Sequence, residues 1–272
     1  MSSLDDIEIP LLLEAIYEHY GFDFRNYARA SLRRRILAQV EAEGLKTISG
    51  LQERALHDPT CMERLLLGLT VHVTAMFRDP GFYVAFREKV VPLLKTYPFV
   101  RLWHAGCSTG EEIYSVAILL HEEGIYGRCR IYATDLCEAV LRHARAGVYP
   151  LAAMKQYTAN YQEARGQGAF SEYYTASDDS ALLRPWLQQN IVFAQHNLVT
   201  DASFNEFNVV LCRNVMIYFN PALQERVHEV LRQSLVRFGV LGLGRGESLR
   251  FMRYEPRYEE LDGAERLYQR MR

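Results

Sequence analysis

Trp103-His104-Ala105-Gly106-Cys107-Ser108-Thr109-Gly110-Glu111-Glu112-Ile113-Tyr114-Ser115 is an apolar strand, a turn of small residues and a helix that opens with acids. Glycine has no Cβ, so Gly106 and Gly110 let the main chain come close to a ligand. In open parallel sheets the ligand lies beyond the carboxyl end of such a strand. The turn is not a phosphate loop, which ends in Gly-Lys-Ser/Thr; here Gly110 is followed by Glu111 and Glu112. Two carboxylates would repel a pyrophosphate. They suit a ligand that is cationic, or rich in hydroxyl and amine groups. S-adenosylmethionine, with its sulfonium, ammonium and ribose diol, fits that description.

Downstream, strands and helices alternate. Strands are expected at Arg101–Ala105, Arg130–Thr134, Ile191–Gln195, Asn208–Leu211 and Leu235–Leu243, the last regular only in its second half. Helices are expected at Glu111–His121, Leu136–Ala146 and Pro221–Ser234. Such alternation predicts a doubly wound, mostly parallel sheet, an α/β fold of Rossmann type. Gly147 to Asn190 is far longer than a connection needs, so a small inserted subdomain over about 150–190 is expected, a helix with short antiparallel strands. Upstream, Leu12, Ile16 and Tyr20 repeat at helical spacing, Arg25 to Val40 continues in that style, and Asp58-Pro59 marks a break. The expected division is an all-helical domain over 1–78 and a ligand-binding domain over 79–272.

Composition narrows the function. A net charge of −2 excludes the chain as a whole as a polyanion binder, so any basic surface must be local. No apolar run reaches the roughly 18 residues that a membrane span needs. The five cysteines are scattered and form no Cys-x-x-Cys pair, so structural zinc is not expected. The N-terminus lacks the marks of a secretory signal, and the expected compartment is the cytoplasm.

Several side chains fall where a ligand would sit. Asp135 closes the second strand, where an acid hydrogen-bonds ribose hydroxyls or caps the next helix; the glycine turn one strand earlier favours ribose. Asn197 could read an adenine edge, although a turn residue is the simpler reading of Asn197 alone. Arg213 and Asn214 follow the fourth strand, and Tyr218 could bring its hydroxyl into the cleft. Cys212 continues an apolar strand and reads as packing. Thr74 and Arg78, four apart, would share a helix face, unless their segment is a surface turn. Arg25, Arg29 and Arg33, with Arg34 and Arg35 beside them, make a helix face with no acid between Arg25 and Val40. That imbalance suits an acidic protein surface or a nucleic acid backbone.

Taken together, these motifs resemble the CheR-type chemotaxis receptor methyltransferases, which methylate receptor glutamates with S-adenosylmethionine. The resemblance spans most of the chain. It rests on the N-terminal helices, Thr74-x-x-x-Arg78, the Ala105–Ser115 run, the Ala133-Thr134-Asp135 strand end, Asn197-Leu198 and the run from Cys212 to Phe219. It implies that Thr74, Arg78, Gly106, Glu112, Asp135, Asn197, Leu198, Arg213 and Asn214 contact the cofactor, with His72 at a position where the family usually has Asn. It implies that Tyr218 and the arginines of the second helix, Arg29, Arg33 and Arg34, face the receptor. Where the family usually reads Gly-His-Ser-Glu-Ser-Leu, this chain has Gly244-Arg245-Gly246-Glu247-Ser248-Leu249. The insert matches in position a small subdomain that docks a receptor C-terminal peptide in some members. A monomer acting on receptor cytoplasmic domains is expected, without metal or nucleic acid, giving S-adenosylhomocysteine as product.

A glutamate side chain, with a pKa of about 4.3, is already ionised at neutral pH and needs no general base. That agrees with the lack of a Ser/His/Asp or Cys/His constellation. The catalytic assignments, Arg213 and Tyr218, are therefore positioning roles. Two other readings stand beside this one: methyl transfer to another protein or a small acid, and a silent cofactor-binding scaffold. Near-neutral charge argues against a nucleic-acid module.

Overall fold

The computed structural model describes residues 4–250 and 252–271. It begins with four helices: α1 (Leu4–Tyr20), α2 (Arg29–Ala42), α3 (Ile48–His57) and α4 (Pro59–Leu69). Thr47 caps α3 by accepting from Gly50 N at 3.0 Å, and Asp58 caps α4 with Pro59 in its first turn. These are the start signals that short polar side chains and proline supply. Leu12, Ile16, Leu32, Ile36, Leu51 and Leu65 meet in one core, which Cys137 and Val140 join from beyond the helical unit.

The chain then runs without helix or strand from Val71 and turns at Ala75–Arg78, where Arg78 N donates to Ala75 O at 3.3 Å. The expected helix face shared by Thr74 and Arg78 is not formed. Val71, Val73 and Thr74 are β-branched and resist helix, and Arg78 Nη1 folds back to Val73 O at 2.9 Å. Asp79-Pro80 opens α5 (Pro80–Ala85), which widens into a π-turn at Phe86–Val90 before α6 (Val91–Lys95). Pro92 in α6 cannot donate a helical hydrogen bond, a common cause of such irregularity.

The sheet domain follows the expected alternation: β1 (Val100–Ala105), α7 (Glu111–Glu122), β2 (Cys129–Asp135) and α8 (Glu138–Ala146). The insert comprises β3 (Val148–Pro150), α9 (Met154–Glu163), β4 (Tyr174–Ser177) and β5 (Ser180–Leu183), a helix with a small antiparallel sheet in the order β3-β5-β4. Then come β6 (Ile191–Gln195), β7 (Phe207–Cys212), α10 (Pro221–Gln233), β8 (Leu235–Leu243), β9 (Tyr258–Asp262) and β10 (Leu267–Arg270). The large sheet has the order β6-β2-β1-β7-β8-β10-β9. The first five strands in that order are parallel, and β10 and β9 add an antiparallel edge. β8 pairs irregularly until Val240 and in step with β7 thereafter. Among the described residues, no helix is long and apolar enough to cross a membrane.

Strand order decides where a ligand can sit. From β1 the chain moves outward to β2 and β6, then returns to β7 on the other side of β1. Neighbouring connections therefore diverge between β1 and β7, leaving a crevice above their carboxyl ends. β7 is buried along its whole length, as expected of a strand covered on both faces.

Candidate active site

A cleft of about 910 Å³, its open mouth included, lies above that switch point. His72, Thr74, Arg78, Gly106, Glu112, Asp135, Asn197, Leu198, Arg213, Asn214 and Tyr218 all line it. Sequence positions more than 140 residues apart thus converge, because each lies at or just beyond a strand end or on the segment that links α4 to α5. Arg29, Arg33 and Arg34 lie outside the cleft, exposed on α2.

The turn after β1 forms one wall. Gly106 has φ +76°, and a Cβ there would sit 2.5 Å from Val215 Cγ2. Glycine is thus required twice, by its backbone and by its neighbour. Gly106 N and Cys107 N both donate to Thr134 O at 2.9 Å, binding the turn to β2. Ser108, at φ 51°, donates its N–H to Asp135 Oδ2 at 2.8 Å, and Cys137 N donates to Asp135 Oδ1 at 3.1 Å. Asp135 therefore braces the loop into α8 and joins two walls. Each of its oxygens keeps a further lone pair for a ligand hydroxyl.

The expectation that both glutamates of the turn face the ligand needs correction. Glu111 turns away, accepting from Thr109 Oγ1 at 2.7 Å, with Tyr157 Oη of the insert 3.5 Å away. Burial pushes its carboxyl pKa up. Glu112 lies on the cleft floor, 3.1 Å from His104 Nε2 and 3.0 Å from Arg213 Nη1. Burial alone would raise its pKa, but Arg213 and His104 together hold it down. Arg213 also meets Asp79 Oδ2 at 2.9 Å and stacks over Phe82 at 4.0 Å. Its charge is spent on two carboxylates, so it has none free to grip an anion.

The loop after β7 forms the opposite wall. Asn214 is held at φ 60°. Buried Glu247 accepts from Asn214 N, Val215 N, Met216 N and Gly244 N at 2.7–2.9 Å. One carboxylate therefore folds the loop that carries Asn214 and Tyr218. Asn197 behaves as a turn residue, its Oδ1 accepting from Val199 N at 3.0 Å, while still lining the cleft. Buried Cys107 and Cys212 have thiol pKa values pushed well up by desolvation, which removes them as nucleophiles.

The insert reaches both sides of this site. Tyr149 Oη donates to Thr109 O at 2.7 Å, and Asn160 Nδ2 donates to Met76 O at 2.9 Å. The helical unit reaches it as well. Tyr27 pairs with Phe219, Ala28 N donates to Tyr218 O at 2.8 Å, and Asn220 N donates to Asn26 O at 2.9 Å. Arg35 extends from α2 into the cleft, donates to Leu69 O at 2.6 Å, and lies 5.2 Å from the Tyr218 ring.

Sequence reasoning missed Arg35, His104 and Glu247 as site residues. A signal existed for Arg35, which sits three residues after Leu32 beside the Leu32-Ile36-Val40 stripe. A lone histidine inside an apolar strand was the clue to His104. The two glycines flanking the segment around Glu247 were a weaker clue.

Asn214 Oδ1 is buried without a hydrogen-bond partner, and Glu112 Oε1 lacks one of good geometry. Both belong to residues lining the cleft, as does the carboxylate of Asp135. These acceptor oxygens fit a ligand bearing ammonium, sulfonium and a ribose diol. A parallel sheet, a glycine turn after β1, an acid closing β2 and a cleft at the switch point define the class as an S-adenosylmethionine-dependent methyltransferase.

The comparisons give the family. Residues 7–70 match the CheR methyltransferase all-alpha domain, and residues 72–262 match the CheR methyltransferase SAM binding domain. The chain belongs to the CheR methyltransferase family, whose role is the methylation of chemoreceptor glutamates, and its cofactor is S-adenosylmethionine. It is similar to a protein of Pseudomonas putida bearing the provisional name methyltransferase Cher3, with 48% identity over 97% of each chain. It is 31% identical to a chemotaxis protein methyltransferase of Listeria innocua, over 84% of this chain and 85% of that one. Among solved structures, the N-methyltransferase NodS of Bradyrhizobium japonicum, in complex with S-adenosyl-L-homocysteine, aligns over 62% of each chain at 11% identity and a TM-score of 0.35.

Proposed function

We propose that this chain transfers a methyl group from S-adenosylmethionine to glutamate side chains on chemoreceptor cytoplasmic domains. The observation that carries this reading is the position of α2. One face of this helix contributes Arg35 to the cleft beside Tyr218, while Arg29, Arg33 and Arg34 point outward. An acidic helix lying along the outer face would deliver a carboxylate to the inner one.

The outer face is less unbalanced than its own sequence suggests. Arg29 pairs with Asp6 at 3.5 Å and Arg33 pairs with Asp5, both acids on α1. Such exposed pairs are worth little and exchange readily for a partner's carboxylates.

The roles follow from chemistry. The bound cofactor supplies an electrophilic methyl group. Asp135 is suited to hold ribose hydroxyls, and Asn214 Oδ1 and Glu112 to face positive charge. Arg35 and Tyr218 orient the incoming carboxylate, which is already ionised and needs no base. Alignment and exclusion of water are then the main contributions. Arg213 acts through Glu112 and Asp79 as a positioning residue. The division into units near residues 70–78 and a cytoplasmic location complete the proposal. All five cysteines are free and buried, which suits a reducing compartment.

The test uses methyl-labelled S-adenosylmethionine with purified receptor cytoplasmic fragments, followed by release of labelled methanol in mild base. Base-labile label on a receptor supports a carboxyl methyl ester. Cofactor binding by calorimetry without labelling would move the function to another substrate or to a silent scaffold.

A further inference from the structure

His72 lines the cleft on the segment that links α4 to α5. Its Nε2 lies 2.6 Å from Thr70 Oγ1, and its Nδ1 lies 3.5 Å from Ser108 Oγ. Thr70 has one hydroxyl proton, which it gives to Leu66 O at 2.8 Å. Thr70 Oγ1 can therefore only accept from His72, which places the neutral ring's proton on Nε2. Nδ1 is left as the bare acceptor beside Ser108, whose main chain binds Asp135. A proton added at Nδ1 would place a positive charge inside the wall that holds the cofactor's ribose end.

The groups facing this ring are few. Thr70 and the Leu67 backbone approach from α4 and its end, Ser108 from the turn after β1, Asp135 from β2 and Arg35 from α2. Asp135 favours the charged ring and Arg35 opposes it, while burial, the largest influence, holds the pKa below the usual histidine value. Burial therefore favours the neutral ring at pH 7, and acidification favours the charged one.

We propose that His72 sets the discrimination between S-adenosylmethionine and S-adenosylhomocysteine, favouring the product when it is protonated. The inference rests on the cleft being the cofactor site. The two ligands share adenine, ribose and amino-acid groups and differ by the sulfonium methyl. Between pH 7 and pH 5 neither ligand titrates, since an α-carboxyl has pKa about 3.5 and an α-amino group about 8. The substrate therefore carries one net positive charge throughout and the product none. A charged His72 repels the first more than the second. Any loss of the shared ribose contacts cancels in the ratio of affinities. The consequence is an acid-dependent brake, with product inhibition deepening as pH falls.

The test measures both dissociation constants by calorimetry at pH 7 and pH 5, in the wild type, His72→Gln and His72→Asn. Glutamine can keep the hydrogen bond to Thr70 and cannot become charged; asparagine guards against a misfolded first variant. The His72 ring is also titrated by NMR in the protein without cofactor. In the wild type, Kd for substrate divided by Kd for product should rise about three- to tenfold on acidification, the effect of one charge across a partly solvated cleft. In both variants the ratio should stay level. A level ratio in the wild type, or an equal rise in the variants, overturns the inference while leaving the cofactor site intact. Failure of both ligands to bind the wild type would instead overturn the cofactor reading, and this one with it.

Discussion

Replacing Arg213 by methionine tests the floor of the cleft. Methionine keeps much of the packing against Phe82 and removes the charge. The Arg213 side chain is 1% exposed and that of Glu112 is 7%. Without the guanidinium, among the described residues Glu112 keeps His104, and Asp79 keeps Arg245 at 4.0 Å. Stranding a buried charge costs about 3–5 kcal/mol, against a total stability of roughly 5–15 kcal/mol. With a urea slope of about 2–3 kcal/mol/M, the unfolding midpoint should fall by about 1.5 M. Adding Glu112→Gln removes the stranded charge and should recover about 1–3 kcal/mol. The pH dependence has a definite sign. In the wild type, Glu112 is held below its usual carboxyl range, so its contribution is present above about 4.5 and is lost in stronger acid. In Arg213→Met, burial acts on Glu112 with less opposition and raises the pKa, so the deficit relative to wild type should shrink as pH falls from 7.5 to 5. Urea unfolding followed by circular dichroism at those two pH values measures both effects. A single variant within 1 kcal/mol of wild type, or a double variant that loses the sum of both single losses, would refute the reasoning.

Three further outcomes are expected. Gly106→Ala must hold an alanine at φ +76° with its Cβ against Val215; calorimetry should show cofactor affinity reduced about 5- to 150-fold, in line with about 1–3 kcal/mol of strain, and Val215→Ala in the same chain should restore part of it. Reversing Arg33 and Arg34 to Glu should raise KM for the receptor fragment about tenfold at low salt while leaving cofactor affinity unchanged, since each exposed charge pair is worth at most about 1 kcal/mol. His228 on α10 is buried and its pKa is lowered to about 4 by desolvation. A depressed histidine adds stability above its usual value and loses it as pH falls from about 6.5 to 4, here by about 3 kcal/mol; Tm measured against pH should fall less steeply in His228→Leu.

Much of this site was legible because strand ends are where turn residues, acids and arginines interrupt apolar runs. Asp135, Arg213 and Asn214 each follow such a run, and the parallel alternation placed their strand ends on one side. The insert was legible from its length alone. The β9–β10 hairpin was not, since Glu259 and Glu260 on an exposed edge give no apolar alternation to read. Helical spacing misled at Thr74 and Arg78, where β-branching outweighed periodicity. Glu111 and Glu112 differ in direction because adjacent helix positions point about 100° apart, so at most one could face the ligand. Counting charges within α2 alone missed Asp5 and Asp6, which only packing against α1 supplies.

The stitching of Tyr27 and Ala28 to Phe219 and Tyr218, with Cys137 and Val140 in the helical core, bears on how such a molecule can change over generations. The helical unit is not a detachable cassette. Exchanging it for that of a relative would also exchange the strand partner of the Tyr218 loop and the cover of α8. Target preference and the shape of the methyl-transfer site are therefore inherited together, and a lineage acquiring a new receptor must alter α2 one exposed residue at a time.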